Sequence, residues 1–159
     1  MRFWPRVTLE RSALVAEVVS SVAVVLTLVF LAVSIRANTV VTRAAAYEDL
    51  LDSINQFNLT IVNDAGLAAI WTAFRTGHAD ELDEQESTRL VLMARVLFRT
   101  YEAAYFFREY GILGRAEWER FGATICSTYG NTTPTFWPNV RSVLSSDFTA
   151  YIEGGCAAR

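Results

Sequence analysis

The sequence predicts an all-α protein with one N-terminal transmembrane helix continuing into a compact helical domain of about five further helices. Three observations carry that expectation. The stretch Ser12 to Ile35, SALVAEVVSSVAVVLTLVFLAVSI, holds a single charge, Glu17. Roughly 24 residues at about 1.5 Å rise give a helix of about 36 Å, enough to cross a hydrocarbon core of about 30 Å. Beyond Ile35, apolar residues recur at three-to-four spacing between glycines and capping residues, and no alternating stretch of strand length occurs. The rest of the 159-residue chain suffices for one domain with its own core and is too short for two. The expected layout is an interfacial N-terminal arm at 1–11, a transmembrane helix at 12–35 and a helical extramembrane domain at 36–159.

The arm combines Arg2, Arg6 and Arg11 with Phe3 and Trp4, a mixture suited to a headgroup region where aromatic rings and guanidinium groups both anchor. A secretory signal is the competing reading. The apolar run exceeds the usual signal length and no small-x-small cleavage site follows it, so a retained anchor is expected.

Within the span, Ala13, Ser20, Thr27 and Ser34 recur every seven residues, with Ala16, Glu17 and Ala23 on the same side. The opposite side carries Leu14, Val15, Val18, Val22, Val25, Leu26 and Val29. Lipid offers no hydrophobic drive for helix pairing, so a stripe of small and hydroxyl side chains is where another helix approaches closely. The competing reading is that the hydroxyls bond back to their own helix. Glu17 either snorkels to the interface or pairs with a polar group of a neighbour.

The run from Ala16 to Thr39, with Ala16-Glu17 before the span and L-A-x-x-I-R-x-N-T from Leu31 to Thr39 at its exit, resembles a group of small bacterial single-pass membrane-anchored proteins of unknown function. The similarity continues from Leu97 to Leu113 and from Ser145 to Glu153. It implies the bacterial inner membrane and a cytoplasmic C-terminal domain, and brings no activity with it. Flanking charge, three arginines before the span against Arg36 and Arg43 after it, leans to an N-terminus inside. The cytoplasmic placement is the one expected here.

From Asn38 to Val62, the residues Val40, Val41, Ala44, Tyr47, Leu51, Ile54, Asn58 and Ile61 continue the helix beyond the span. Asn63-Asp64-Ala65-Gly66 interrupts it, and Asp64 is placed to cap a short helix with Leu67, Ile70, Trp71 and Phe74 that stops at Gly77. The acidic run HADELDEQE from His78 to Glu86 lacks the order of a calcium loop. Its expected purpose is a capping box, Asp83 with Glu86.

The helix Glu84 to Tyr110 should be central to the core, with a stripe of Leu90, Met93, Val96, Leu97, Tyr101, Ala104, Tyr105 and Phe107. On it, Arg99, Tyr101, Tyr105 and Arg108 form a candidate pocket or partner face for a lipid headgroup or a nucleotide, against the plainer reading of a core stripe. Another helix is expected from Arg115 to Thr128. Thr133 as cap and Pro134 as first helical residue should open a short helix reaching Leu144, and Ser146 a last one closed by Gly154-Gly155.

The balance of 14 basic against 17 acidic residues leaves no basic footprint for nucleic acid. Cys126 and Cys156 form no C-x-x-C motif and are expected as buried thiols, a disulfide being the alternative. With one histidine, neither a di-iron bundle nor H-E-x-x-H is available, and G-x-S-x-G and phosphate-binding glycine loops are missing. No catalytic residue, cofactor or metal is therefore expected. The function expected is a non-enzymatic accessory or scaffolding subunit of a larger respiratory, photosynthetic or transport complex. Its partners are membrane lipid and other transmembrane helices, of that complex or of a homo-oligomer. The alternative is a membrane-tethered sensor or a module binding a small molecule or lipid, and the third class is a membrane-bound enzyme with converging carboxylates.

Overall fold

The computed structural model describes the backbone of residues 6–134 and 136–156, with side chains from residue 12 onward. Among the described residues there are six α-helices, one 3-10 turn and no strand. The helices are α1 (Arg6–Val62), α2 (Ala65–Arg75), α3 (Glu84–Glu109), α4 (Arg115–Tyr129), α5 (Trp137–Arg141) and α6 (Ser146–Gly155), with the 3-10 turn at Ala79–Glu81. The chain divides into two compact units between Ala44 and Ala45, inside α1. Of the expected interfacial arm, residues 1–5 lie outside the described residues, and for 6–11 only a helical backbone is described.

In the first unit α1 is long and apolar enough to cross a membrane, and none of its most apolar window is buried within the chain. Leu14, Val22, Leu26 and Phe30 are all exposed. The hydroxyls of Ser21, Thr27, Thr39 and Thr42 donate to carbonyls four residues back at 2.8–2.9 Å. That satisfies the donors without any outside partner.

The second unit has one core, to which the end of α1 contributes Tyr47, Leu50, Ile54, Phe57 and Ile61. Here the structure corrects the expected face, because Leu51 and Asn58 are exposed and Leu50 and Phe57 take their places. Both registers have the same spacing. The difference is chemical: burying Asn58 would strand an amide, whereas Phe57 buries a ring edge-on against Trp71 with centroids 5.3 Å apart.

Helix α2 begins where Asp64 Oδ1 accepts the N–H groups of Gly66 and Leu67 at 2.8 and 3.0 Å. It ends with the His78 N–H bonded to the Ala73 carbonyl and with Gly77 at φ +80°, a conformation open to glycine. The predicted capping box opens α3: Asp83 Oδ1 accepts from Glu86 N–H at 2.8 Å and Glu86 Oε2 from Asp83 N–H at 3.2 Å. Such a cap contributes about 1 kcal/mol. Gly111, at φ +66°, closes α3 as Gly77 closes α2.

Core packing on α3 falls to Leu90, Ala94, Leu97, Phe98, Tyr101 and Ala104. Val96, expected in that stripe, is instead 56 % exposed. The charged side of α3 holds the next layer. Arg95 Nε and Nη2 donate to the Asn139 carbonyl at 2.9 and 2.8 Å, Arg99 Nη2 donates to the Val143 carbonyl at 3.4 Å, and Glu102 Oε1 accepts the Ser145 N–H at 2.6 Å. These three side chains satisfy backbone groups at the end of α5 and the start of α6 that no helix bond reaches.

Two expectations fail in the C-terminal third. The helix expected from Pro134 starts only at Trp137 and stops at Arg141. A helix begun at Pro134 would need a Pro138 N–H to bond four residues back, and proline has none. Thr133 instead caps a turn, its Oγ1 accepting from Phe136 N–H at 3.2 Å, and Pro138 falls in the first turn of α5. The expected free thiols are also overturned: Cys126 on α4 and Cys156 at the end of α6 are joined in a disulfide, with Cα atoms 5.0 Å apart. The packing of α6 on α4 brings the two within bridging reach.

Candidate functional site

The four side chains expected to form a pocket face are each engaged within the fold. Tyr101 is buried, and its hydroxyl lies 3.3 Å from Thr128 Oγ1. Thr128 spends its own proton on the Thr124 carbonyl at 2.9 Å, so Tyr101 is the donor. Burial pushes the Tyr101 phenol above the usual tyrosine range, with the Arg75 charge pulling the other way.

Tyr105 joins a ring cluster with Trp118, Phe148 and Tyr151 at 5.2–6.2 Å. Its phenol is also raised, by burial first and then by the nearby Glu109 and Asp147 carboxylates. Arg108 lies over the Trp118 ring at 5.4 Å and pairs with Glu109 at 2.6 Å. Arg99 holds the Val143 carbonyl, on another side of α3 from Tyr101. Tyr101, Tyr105 and Arg108 therefore belong to one packed seam between α3, α4 and α6, and Arg99 does not join them.

On the small-residue stripe, Ala13, Ala16, Glu17, Ser20, Ala23 and Thr27 are exposed and Ser34 half-buried. Thr27 bonds back to the Ala23 carbonyl at 2.8 Å, as the competing reading of that stripe expects.

An opening in the second unit lies elsewhere, between the end of α1, the start of α2 and the outer side of α3. It is a groove of about 480 Å³, inside the range of roughly 300–1,000 Å³ typical of small-molecule sites. Its more buried lining is Phe57, Ile61, Leu67 and Met93, and Leu92 and Val96, 55 % and 56 % exposed, stand at its mouth. Ser53, Gln56, Thr60 and Thr100 complete it, and none of the ten lining side chains is charged.

The fold explains the opening. The end of α1 is held by large rings, Phe57 against Trp71 and Tyr47 against Phe121 at 6.4 Å. The Leu92-to-Thr100 side of α3 is left without a covering helix.

The polar groups on the groove have restricted chemistry. Ser53 Oγ donates to the Asp49 carbonyl at 2.8 Å, Thr60 Oγ1 to the Gln56 carbonyl at 2.9 Å and Thr100 Oγ1 to the Val96 carbonyl at 3.2 Å. With their protons committed, these three oxygens offer only acceptor lone pairs. Gln56 carries the only side-chain N–H among the lining residues.

Sequence reasoning reached Ile61, Met93 and Val96 as apolar-stripe residues and missed Phe57, Leu92 and the polar positions. A signal was present: Leu90, Leu92, Met93, Val96 and Leu97 together span a wider arc than one packed face of a helix uses. Among the described residues, no group of three or more His, Cys, Asp or Glu side chains is placed to hold a metal ion. The chain matches no protein-family model, no curated protein and no solved structure.

Proposed function

We propose that this chain is a non-catalytic accessory subunit, anchored by one membrane-spanning helix in a bacterial inner membrane and packed there against helices of a larger respiratory, photosynthetic or transport assembly. The observation that carries the reading is the uncovered state of α1, whose large apolar side chains from Leu14 to Ile35 are exposed to whatever surrounds the chain. In water such a surface would aggregate. In a bilayer it is solvated by lipid on the Val22 side and free to receive a neighbour on the Ser20 side. Glu17 adds to this, because a carboxylate inside an apolar span is stabilised by a polar partner or by reaching the interface.

The Cys126–Cys156 bridge supports an oxidising compartment for the helical domain, against the cytoplasmic placement that the resemblance of residues 16–39 implies. The arginines preceding the span lean the same way. Kinship with that group of anchored proteins is part of the same proposal.

The test is a matched pair of variants. Ser20→Leu adds bulk where backbones approach and is expected to release the chain from its assembly, as read by mass measurement after extraction in a gentle detergent. Val22→Leu, on the opposite side, should leave the assembly intact. Equal tolerance at both positions, or a wild-type chain that always runs as a lone monomer, would contradict the reading.

A further inference from the structure

We propose that the Cys126–Cys156 bridge is a site of thiol–disulfide exchange, opened and reclosed in the folded protein by a dithiol protein carrying a Cys-x-x-Cys motif, and that it latches the end of α6 to α4. The inference concerns the second unit alone and stands whether or not α1 packs in a larger assembly.

Access to the bridge is built into its surroundings. Both cysteines are half-buried, not enclosed in the core. On α4 the exposed neighbours of Cys126 are Ala123, Ser127 and Gly130, and Cys156 follows the exposed pair Gly154-Gly155. None of these side chains is longer than that of serine, and a Cβ added at Gly154 would meet nothing within 4 Å. Tyr129, the one large neighbour on that side of α4, is held against Trp137 with ring centroids 5.0 Å apart. A protein surface can therefore close over the bridge without unfolding the domain, and accessible bridges are the ones that exchange.

The order of the exchange follows from where the two cysteines sit. Cys126 lies inside α4 and Cys156 caps the end of α6, so Cys156 is the one that can move with an attacking group. A partner thiolate attacks Cys156 Sγ, the S–S bond breaks, and its electron pair leaves on Cys126 Sγ, which takes up a proton. The second partner thiol loses its proton and attacks the partner sulfur of the mixed disulfide, and Cys156 departs as a thiolate that is protonated in turn. Two electrons and two protons have passed to this chain, and the partner dithiol has become a disulfide. The reverse sequence with an oxidised partner recloses the bridge.

The same geometry selects a dithiol over a monothiol. In the mixed disulfide, Cys126 remains on the α4 position whose Cα lies 5.0 Å from that of Cys156 in the closed bridge, and it can expel the attacker. A second monothiol must arrive from solution before that happens, whereas the second thiol of a dithiol is already in place.

Opening the bridge acts on one end of α6. Phe148 and Ile152 are 0 % exposed and keep the helix seated, and Tyr151 packs on Trp118 of α4 at 5.5 Å. Glu153 turns instead to α5, accepting from Trp137 Nε1 at 2.8 Å and pairing with Arg141 at 3.3 Å. Beyond Tyr151 the bridge is what ties α6 to α4. Without it the last turn, closed by the Cys156 N–H on the Ile152 carbonyl at 3.0 Å, frays first.

The test uses the full chain in phosphatidylcholine nanodiscs, with reduced thioredoxin and glutathione as probes at matched thiol concentration and bridge opening read by mass after thiol capping. Thioredoxin is expected to open the bridge at least ten-fold faster than glutathione, at a rate that urea below the unfolding transition leaves unchanged. Thioredoxin with its second cysteine replaced by serine should be trapped on Cys156. Reduction should speed amide exchange in 153–156 at least ten-fold, with 90–104 unchanged and the closed pattern restored on reoxidation. Ala123→Trp, which adds bulk beside Cys126 at an exposed position, should slow thioredoxin at least ten-fold and leave opening by a small phosphine unchanged. Opening that accelerates with urea in step with global unfolding, equal rates for thioredoxin and glutathione, trapping on Cys126, or amide exchange in 153–156 indifferent to reduction would overturn the proposal.

Discussion

Replacing Phe98 with Ala is expected to remove about 3–5 kcal/mol of folding stability from the helical domain. Phe98 is 0 % exposed and sits on α3 between rings from two directions, Tyr101 at 5.8 Å and Trp137 at 5.3 Å. Its removal deletes apolar area and opens a cavity that the neighbours can close only by unseating Trp137. That indole is also fixed by a 2.8 Å hydrogen bond from Nε1 to Glu153 on α6. The loss should appear as a lowered denaturation midpoint in the tryptophan fluorescence of the full chain. Val96→Ala, two residues away on the exposed side, should fall within about 0.5 kcal/mol of wild type. A Phe98→Ala chain with an unchanged midpoint would mean that α3 is not the centre of the core.

Opening the disulfide by Cys126→Ser should cost about 3–4 kcal/mol, the loop-entropy value for a closed segment of this length. The bridge spans a sequence separation of 30, and that segment carries α5 and α6, two of the shortest helices in the chain. Helices of 5 and 10 residues are too short to hold themselves together in water. They depend on packing, on the clamp from Arg95, Arg99 and Glu102, and on the tether to α4. The expected outcome is a lower denaturation midpoint, matched by wild-type protein under a reducing agent and not lowered further when Cys156→Ser is added. Oxidised and reduced chains with equal midpoints would contradict this role.

The helices of this protein were legible in its sequence wherever a cap or a glycine marked their ends. Asp64, the Asp83/Glu86 pair, Gly77 and Gly111 act locally, through backbone groups a few residues away, and need no knowledge of the tertiary fold. The choice between Leu50 and Leu51 is different. Two adjacent leucines fit the same spacing, and only the chemistry of the positions seven further on, Phe57 against Asn58, separates them.

Pro138 sets the start of α5 for a local reason: its missing N–H is harmless only in a first turn, so the helix begins at Trp137, three residues later than expected from Pro134. The disulfide and the groove belong to tertiary structure. Whether Cys126 meets Cys156 depends on how α6 returns to α4, and an opening beside Leu92 arises only once the rings of Phe57 and Tyr47 have fixed where α1 ends. Tyr101 and Tyr105 show the converse. Aromatic residues at helical spacing, with arginines between them, read equally as a binding face and as a core seam, and packing against Thr128, Trp118 and Tyr151 makes them a seam.

Sidedness and anchoring together are the centre of this account, and one labelling experiment on intact spheroplasts tests both. A membrane-impermeant maleimide is applied before and after a membrane-impermeant phosphine reductant, with the membrane sedimented each time. The chain is expected in the membrane fraction, with no labelling before reduction and labelling of both Cys126 and Cys156 after it. Thiols that react without reduction and only once the membrane is broken would put the domain in the cytoplasm, and a chain recovered in the soluble fraction would remove the anchor.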